Sequence, residues 1–267
     1  MTATAATALP RELPTPCYWD PEATLYQGEA LSVLRGLPDA SADALISDPP
    51  YSSGGKHSRD RLRTPRDKYQ NSDTRKRYPE FAGEARDQRS YYIWWVLWGT
   101  ECLRILKPGA PVVVFSDWRQ YPVVSDALQV AGFAWRGTAV WDKTGGSRPA
   151  LGRFRAQTEF ILWGSVGPMR RGERIGALPG VFSHSPRSGG KHHLVGKPVP
   201  LMEELVRIAA ADELVLDPFA GSGSTGVACR RTGRRFLGIE LVEEYAHIAA
   251  SRLAAAGTRE EASHVVA

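Results

Sequence analysis

A doubly wound, mostly parallel α/β sheet is the fold this sequence predicts, with a long basic loop inserted near its start. Three observations carry that expectation. Short apolar runs alternate with amphipathic segments of helical period along most of the chain. A strand-turn-helix glycine loop, Asp217 to Gly226, stands late in the chain. An early apolar run, Ala42 to Ser47, is stopped by the two prolines of Asp48-Pro49-Pro50-Tyr51. The length of 267 residues suits one such domain with a sizeable core. We place that domain at residues 24–256. Residues 1–23 read as a disordered or extended lead-in and 257–267 as a frayed tail.

Taken in order, residues 42–47 are a buried strand. Residues 52–90 are rich in Gly, Ser, Arg, Lys and Asp and show no sustained period, so they read as a long loop; loops of that length inside a compact domain are usually functional or disordered. Tyr91 to Leu106 is a helix, with Trp94, Leu97 and Trp98 at i, i+3 and i+4 as its core-facing stripe, and Lys107-Pro108-Gly109 stops it. Pro111 to Phe115 is a strand and Tyr121 to Ala131 a helix ended by Gly132. Ala134 to Trp141 and Glu159 to Trp163 are strands flanking the loop Lys143 to Arg155. Residues 164–192 read as irregular. Leu201, Leu205 and Ile208 make 199–211 an amphipathic helix. Glu213 to Leu216 is a strand, the glycine loop opens a helix through Arg231, Arg235 to Ile239 is a strand, and Glu243 to Ala255 is the last helix.

Composition narrows the function classes. No stretch approaches the roughly 18 apolar residues of a membrane span, and Met1 to Leu9 lacks the basic start and apolar core of a signal peptide. Cys17, Cys102 and Cys229 are few, odd in number and scattered. That fits a reducing, cytoplasmic setting and argues against a disulfide framework or a zinc site. The net charge of +5 is unevenly spread. Lys56 to Arg77 holds nine Lys/Arg against three Asp, and Lys143 to Lys191 nine against two Glu, on an otherwise acidic body. Two basic segments of this kind suit a polyanion contact. His57, His184 and His192 lie in loops without metal-ligand spacing and read as solvated.

In the glycine loop, Gly221, Gly223 and Gly226 spell G-x-G-x-x-G, and Glu240 ends the next strand 19 residues after Gly221. Glycines let backbone N–H groups approach a ligand, and an acid about 20 residues on takes ribose hydroxyls in nucleoside-binding βαβ units. A nicotinamide enzyme would share this fingerprint. Too little chain follows Gly226 to complete a dinucleotide fold, so earlier residues must complete the sheet. At Asp48-Pro49-Pro50-Tyr51, a carboxylate and the Pro49 carbonyl form two acceptors at a strand end. The prolines fix φ and hold that carbonyl, and Tyr51 offers a flat face.

With both motifs in this order, the chain resembles the amino-methyltransferases of DNA (adenine-N6 and cytosine-N4 enzymes), in particular the permuted beta class, where the catalytic tetrapeptide precedes the glycine loop. Further segments match: Leu25 to Ala30, Trp141-Asp142-Lys143, Phe154 to Glu159, His193 to Pro198 as a His-x-x-x-Lys-Pro element, and Gly238 to Leu241 with Tyr245 and Arg252. The resemblance implies a Rossmann-like methyltransferase fold and S-adenosyl-L-methionine as methyl donor. It implies double-stranded DNA as partner, with the target base flipped out, no metal, and a homodimer as a common state of similar enzymes. It assigns catalysis to Asp48, Pro49, Pro50 and Tyr51. It assigns cofactor binding to Glu29, Ala30, Asp48, Lys197, Asp217, Phe219, Gly221, Ser222, Gly223 and Glu240; Asp is the more usual residue where Glu29 stands. Asp at position 48 favours adenine-N6 over cytosine-N4. The gap 164–192, where the beta class places target recognition, is short, so the basic loop is expected to share DNA contact. Its candidates are Arg59, Arg61, Arg63, Arg66, Arg75 and Arg77, joined by Arg153 and Arg155. Pro16-Cys17 has the dipeptide that carries the nucleophile of cytosine-C5 enzymes, but it sits before any expected strand and reads as incidental.

Overall fold

The computed structural model describes residues 12–52, 86–146, 151–169, 175–186 and 196–261. Its elements in chain order are β1 (Tyr18–Trp19), β2 (Ala23–Gln27), α1 (Ala30–Leu34), β3 (Ala44–Ser47), α2 (Gln88–Ile105), β4 (Pro111–Ser116), α3 (Tyr121–Val130), β5 (Ala134–Asp142), β6 (Thr158–Ser165), β7 (Val181–Ser183), α4 (Val199–Leu205), β8 (Leu214–Asp217), α5 (Ser224–Arg231), β9 (Arg235–Glu240) and α6 (Glu243–Glu261). Among the described residues the strands form one sheet in the order β1-β2-β9-β8-β3-β4-β6-β5-β7. The five strands β2, β9, β8, β3 and β4 run parallel. β6 runs antiparallel between β4 and β5, β7 runs parallel to β5, and β1 runs antiparallel to β2.

Both faces of the sheet are covered, which is why the central strands read as unbroken apolar runs. Side chains alternate across the pleat. Leu45, Val112, Val114, Leu216 and Ile239 join one core with α1, α2 and α3. Ala44, Ile46, Val113, Phe115, Val215 and Phe236 join the other with α4, α5 and α6.

The expected strands and helices appear, with differences that have physical causes. In α2 the fully buried stripe is Tyr91, Trp95, Trp98, Cys102 and Ile105; of the expected Trp94, Leu97 and Trp98, Trp98 alone belongs to it. The short i, i+3, i+4 window was one residue out of phase with a stripe that holds over the helix's whole length. Leu97 is exposed, and Trp94 instead packs on Phe219 at 5.3 Å between ring centroids. The helix expected over 199–211 is shorter: α4 tightens into a 3₁₀ turn at Val206–Ile208, and the Glu213 carboxylate takes the Ala210 N–H as the chain turns into β8. β1 falls in the lead-in, where it pairs with β2. Asp20 fixes its turn by accepting from the N–H groups of Glu22 and Ala23 and by an ion pair with Arg230. β7 falls in the stretch read as irregular and is too short to show a period. At the other end, α6 continues to Glu261, into the range read as frayed.

The glycine loop is packed as tightly as its spacing suggests. Gly221 and Gly223 take positive φ of 54° and 81°. A Cβ on Gly226 would stand 2.7 Å from both Leu253 and Phe236, so only glycine lets α5 lie this close to β9 and α6. Gly226→Ala should therefore destabilise the fold by about 1–3 kcal/mol, read from urea unfolding. An unchanged midpoint would show that this contact has slack.

Candidate active site

The connections β8-α5-β9 and β3-α2-β4 leave the seam between β8 and β3 in opposite directions along the sheet. In open α/β sheets that reversal opens a crevice at the carboxyl ends of the strands. On this edge the chain places acids in a row. Glu29 lies just past β2, Glu240 ends β9, Asp217 ends β8 and Asp48 follows β3.

Asp217 anchors the seam. It is buried and accepts from the hydroxyls of Ser47 and Thr225, each at 2.6 Å, and from the Phe219 N–H at 3.1 Å. Burial outweighs these donors and pushes its carboxyl up to about 6. Glu240 accepts the Gly221 N–H through one oxygen and the Val242 N–H through the other, both at 2.8 Å. Each oxygen keeps a lone pair for a further donor. Burial raises the Glu240 carboxyl despite those bonds. Ser222 is held by Arg252, whose guanidinium donates to the Ser222 carbonyl. Phe219 closes this part of the edge against Trp94 and Trp98. Glycine backbone, an aromatic face and a line of carboxylates suit a nucleoside that carries positive charge.

Beyond the seam the polar side chains form one knot. The Lys197 ammonium lies 2.6 Å from Asp48 Oδ2, 3.2 Å from Glu159 Oε2 and 3.0 Å from the Tyr51 hydroxyl. The Tyr51 hydroxyl donates to Asp48 Oδ1 at 2.6 Å and reaches Glu159 Oε2 at 3.1 Å. Lys143 closes the knot on Glu159 Oε1 at 2.7 Å. Lys197 also lies over the rings of Phe115 at 4.8 Å and Tyr51 at 5.2 Å. Burial alone would lower the Lys197 pKa, but Asp48 and Glu159 more than offset it and the net shift is upward. Burial raises Asp48 against the pull of Lys197. For Glu159 burial is outweighed by Lys197 and Lys143, and the carboxyl is lowered. Burial, then the carboxylates of Asp48 and Glu159, push the Tyr51 phenol well above its ordinary value, so it remains a donor.

The structure thus brings Asp48, Tyr51 and Lys197 into direct contact and sets Pro49, buried, between them in sequence. Pro50 is half-buried. Glu29 is exposed and spends its carboxylate as the N-cap of α1, accepting from the N–H groups of Leu31 and Ser32, while Ala30 is buried at the start of that helix. Arg153 and Arg155 are exposed, and Arg155 donates to the Gly145 carbonyl. Arg59, Arg61, Arg63, Arg66, Arg75 and Arg77 lie outside the described residues, as do His57, His192 and the first three residues of the His-x-x-x-Lys-Pro element. His184 binds Glu204 at 2.8 Å, and no metal-binding cluster occurs among the described residues. The Cys17 thiol donates to the Leu25 carbonyl at the open end of the β1–β2 hairpin. Two members of the knot, Glu159 and Lys143, were not singled out from sequence. The available signal was a lone acid opening the apolar run Phe160 to Trp163, where an antiparallel strand starts on the edge at which parallel ones end.

Residues 42–175 and 171–251 match the family model described as DNA methylase (N6_N4_Mtase). The chain belongs to this N6/N4 DNA methylase family. YubD of Escherichia coli (strain K12), whose name proposes a methylase, is 32% identical over 230 residues, covering 86% of this chain and 89% of YubD. The type II methyltransferase M.HinfI of Haemophilus influenzae is 27% identical, covering 86% of this chain and 68% of M.HinfI. Among solved structures, the cytosine-N4-specific PvuII DNA methyltransferase superposes with a TM-score of 0.68 at 19% identity, covering 91% of this chain and 94% of its own. The M1.HpyAVI–SAM complex gives 0.63 at 24% identity, covering 86% and 98%. Both show that the methylase shares their fold. No helix among its described residues is long and apolar enough to cross a membrane.

Two outcomes are expected. Glu159→Ala leaves Lys143 and Lys197 without their shared carboxylate; with 17% of the Glu159 side chain exposed, the loss of stability should be about 2–3 kcal/mol by urea unfolding. For Asp217, the folded chain retains a proton, between the ordinary aspartate range and about 6, that the unfolded chain has released. Stability tied to that proton is full at low pH and lost as pH rises through about 6. The stability of the wild type relative to Asp217→Asn should therefore fall from about pH 4 to about pH 7, by about 3 kcal/mol at most. A pH-independent difference between the two would contradict it.

Proposed function

We propose that this methylase transfers a methyl group from S-adenosyl-L-methionine to the N6 amino group of adenine in DNA, with the strand order of the permuted beta class. The observation that carries the reading is the placement of Asp48 and the Pro49 carbonyl at the end of β3, one strand away from the glycine loop that ends β8. The cofactor, when bound, supplies an electrophilic methyl group. The free lone pairs of Glu240 would take the ribose hydroxyls, and the backbone from Gly221 to Gly223 would let the cofactor approach. Phe219, Ala30 and Glu29 would flank the cofactor's adenine, and Asp217 and Asp48 would face its sulfonium charge. Lys197 stands where the cofactor edge meets the target pocket.

An exocyclic amine is a poor nucleophile because its lone pair is delocalised into the ring. Asp48 and the Pro49 carbonyl each accept one of its hydrogens, which turns the lone pair toward the methyl. Positioning then supplies much of the rate. Lys197 and the Tyr51 hydroxyl favour the charged form of Asp48 against burial and hold it oriented as an acceptor. The Tyr51 ring stacks on the base. Asp48, whose carboxyl is raised by burial, accepts the proton the nitrogen sheds. A base within a duplex cannot reach acceptors set this deep, so the target is flipped out. Arg153, Arg155 and the basic segment 56–77 meet phosphates.

Methylation of genomic DNA with labelled S-adenosyl-L-methionine, followed by nucleoside analysis, tests this. N6-methyladenine is expected. N4-methylcytosine would move the acceptor to the other base, and label on RNA alone would overturn the DNA reading. Asp48→Ala should cut transfer by about a hundredfold or more while calorimetry shows cofactor binding retained.

A further inference from the structure

Between β5 and β6, on the same edge as the knot, the chain carries two side chains that the fold does not use. Leu151 and Phe154 are fully exposed, at 100% and 104% of their reference surface. Single exposed apolar residues are ordinary, but these stand three apart on one short loop, and neither lies down on the surface beneath it. Arg153 and Arg155 flank Phe154 and are exposed as well. Gly152, at φ +67°, turns the chain between Leu151 and Arg153.

The base of the loop is stitched down. The Lys143 N–H donates to the Gln157 carbonyl at 2.8 Å, and the Gln157 amide donates to Asp142 Oδ1 at 2.7 Å. Arg155 donates to the Gly145 carbonyl at 3.2 Å. These stitches lie directly against the knot, because Lys143 and Glu159 belong to it and bracket the loop. A held base, an apolar tip and two flanking cations thus rise from the wall of the pocket that receives the target. This combination fits a duplex: guanidinium groups meet phosphates, and an apolar side chain enters between bases.

We propose that residues 151–157 form a DNA wedge, in which Phe154, supported by Leu151, enters the base stack and holds the space the target base vacates. The proposal rests on the reading of the chain as a DNA base methylase and deepens it. The wedge offsets the unstacking that flipping costs. Its contribution is needed when the target is paired and falls away when the target is already unpaired.

The test begins by mapping the base that the wild type modifies in genomic DNA. Oligonucleotide duplexes bearing that site are then prepared with the target either correctly paired or opposite a mismatch. Phe154→Ala should lose about tenfold or more in kcat/KM on the paired duplex. It should regain near wild-type rates on the mismatched one, and Phe154→Leu should retain most activity on both. Cofactor affinity should be unchanged in both variants. Equal loss on both duplexes would place Phe154 against the flipped base or in the fold and overturn the wedge, as would no loss on either. Unchanged methylation with a shift from dimer to monomer would give the loop to a second copy of the chain and overturn it too. A wild type that methylates no DNA would instead bring down the functional reading and the wedge with it.

Discussion

The seam between β3 and β8 is the constraint from which the rest of the site follows. Its parallel pairing joins Leu45 to Leu216, and the Ser47 hydroxyl reaches across its end to Asp217. That one bond ties together segments 170 residues apart in sequence. It sets the strand end that carries Asp48 beside the strand end that opens the glycine loop. Because side chains alternate along a strand, a slip of one residue at this seam would exchange the two faces of β3 and move Ala44, Leu45 and Ile46 into the wrong cores. The two-sided burial of the strands therefore enforces the register, and the register enforces the site.

The charges around Asp48 follow a related logic. A lysine as buried as Lys197 is costly unless paired, and a carboxylate beside Tyr51 is costly unless compensated. Lys143 and Lys197 against Asp48 and Glu159 balance when all four are ionised. Stability gains little from such a cluster; its effect is orientation. Each oxygen of Asp48 is met by a fixed donor, so the carboxylate has one arrangement available. Glu159 touches no strand-end acid in the row. It acts through its neighbours, holding Lys197 and the Tyr51 hydroxyl where Asp48 needs them.

Much of this was legible in the sequence because it is local. The proline stop after Ser47, the glycines of 221–226 and the acid at Glu240 each announce a strand end with a defined backbone, and the strand-helix alternation announces the sheet. The phase of α2 was less legible, since three aromatic or apolar residues within one turn do not decide which side faces inward; five turns of packing do. Glu29 shows the limit from another side. Its sequence neighbourhood suggested a ligand contact; the structure adds a role that spacing did not announce, since its carboxylate also accepts from the free N–H groups of the first turn of α1. Lys143 and Glu159 lay in segments that the family resemblance matched, but their pairing in the knot was not legible, for a topological reason. Their meeting depends on β6 running against its neighbours, which brings the beginning of one strand to the ends of the others.

The order in which the seam is assembled has a consequence for a chain that emerges from the ribosome one end first. β3 is made long before β8, and until residues beyond 214 appear its far edge has no partner. β3 is short and wholly buried inside the sheet, and such an unpaired edge invites wrong pairing. The early half can lay β4 against one side of β3, but the other side must wait for β8, and β9, made last, then closes the sheet between β8 and β2. Closure of the sheet and completion of the crevice are the same event. A nascent chain of this protein thus has no half-built site in which a cofactor or a base could be held before the fold is finished.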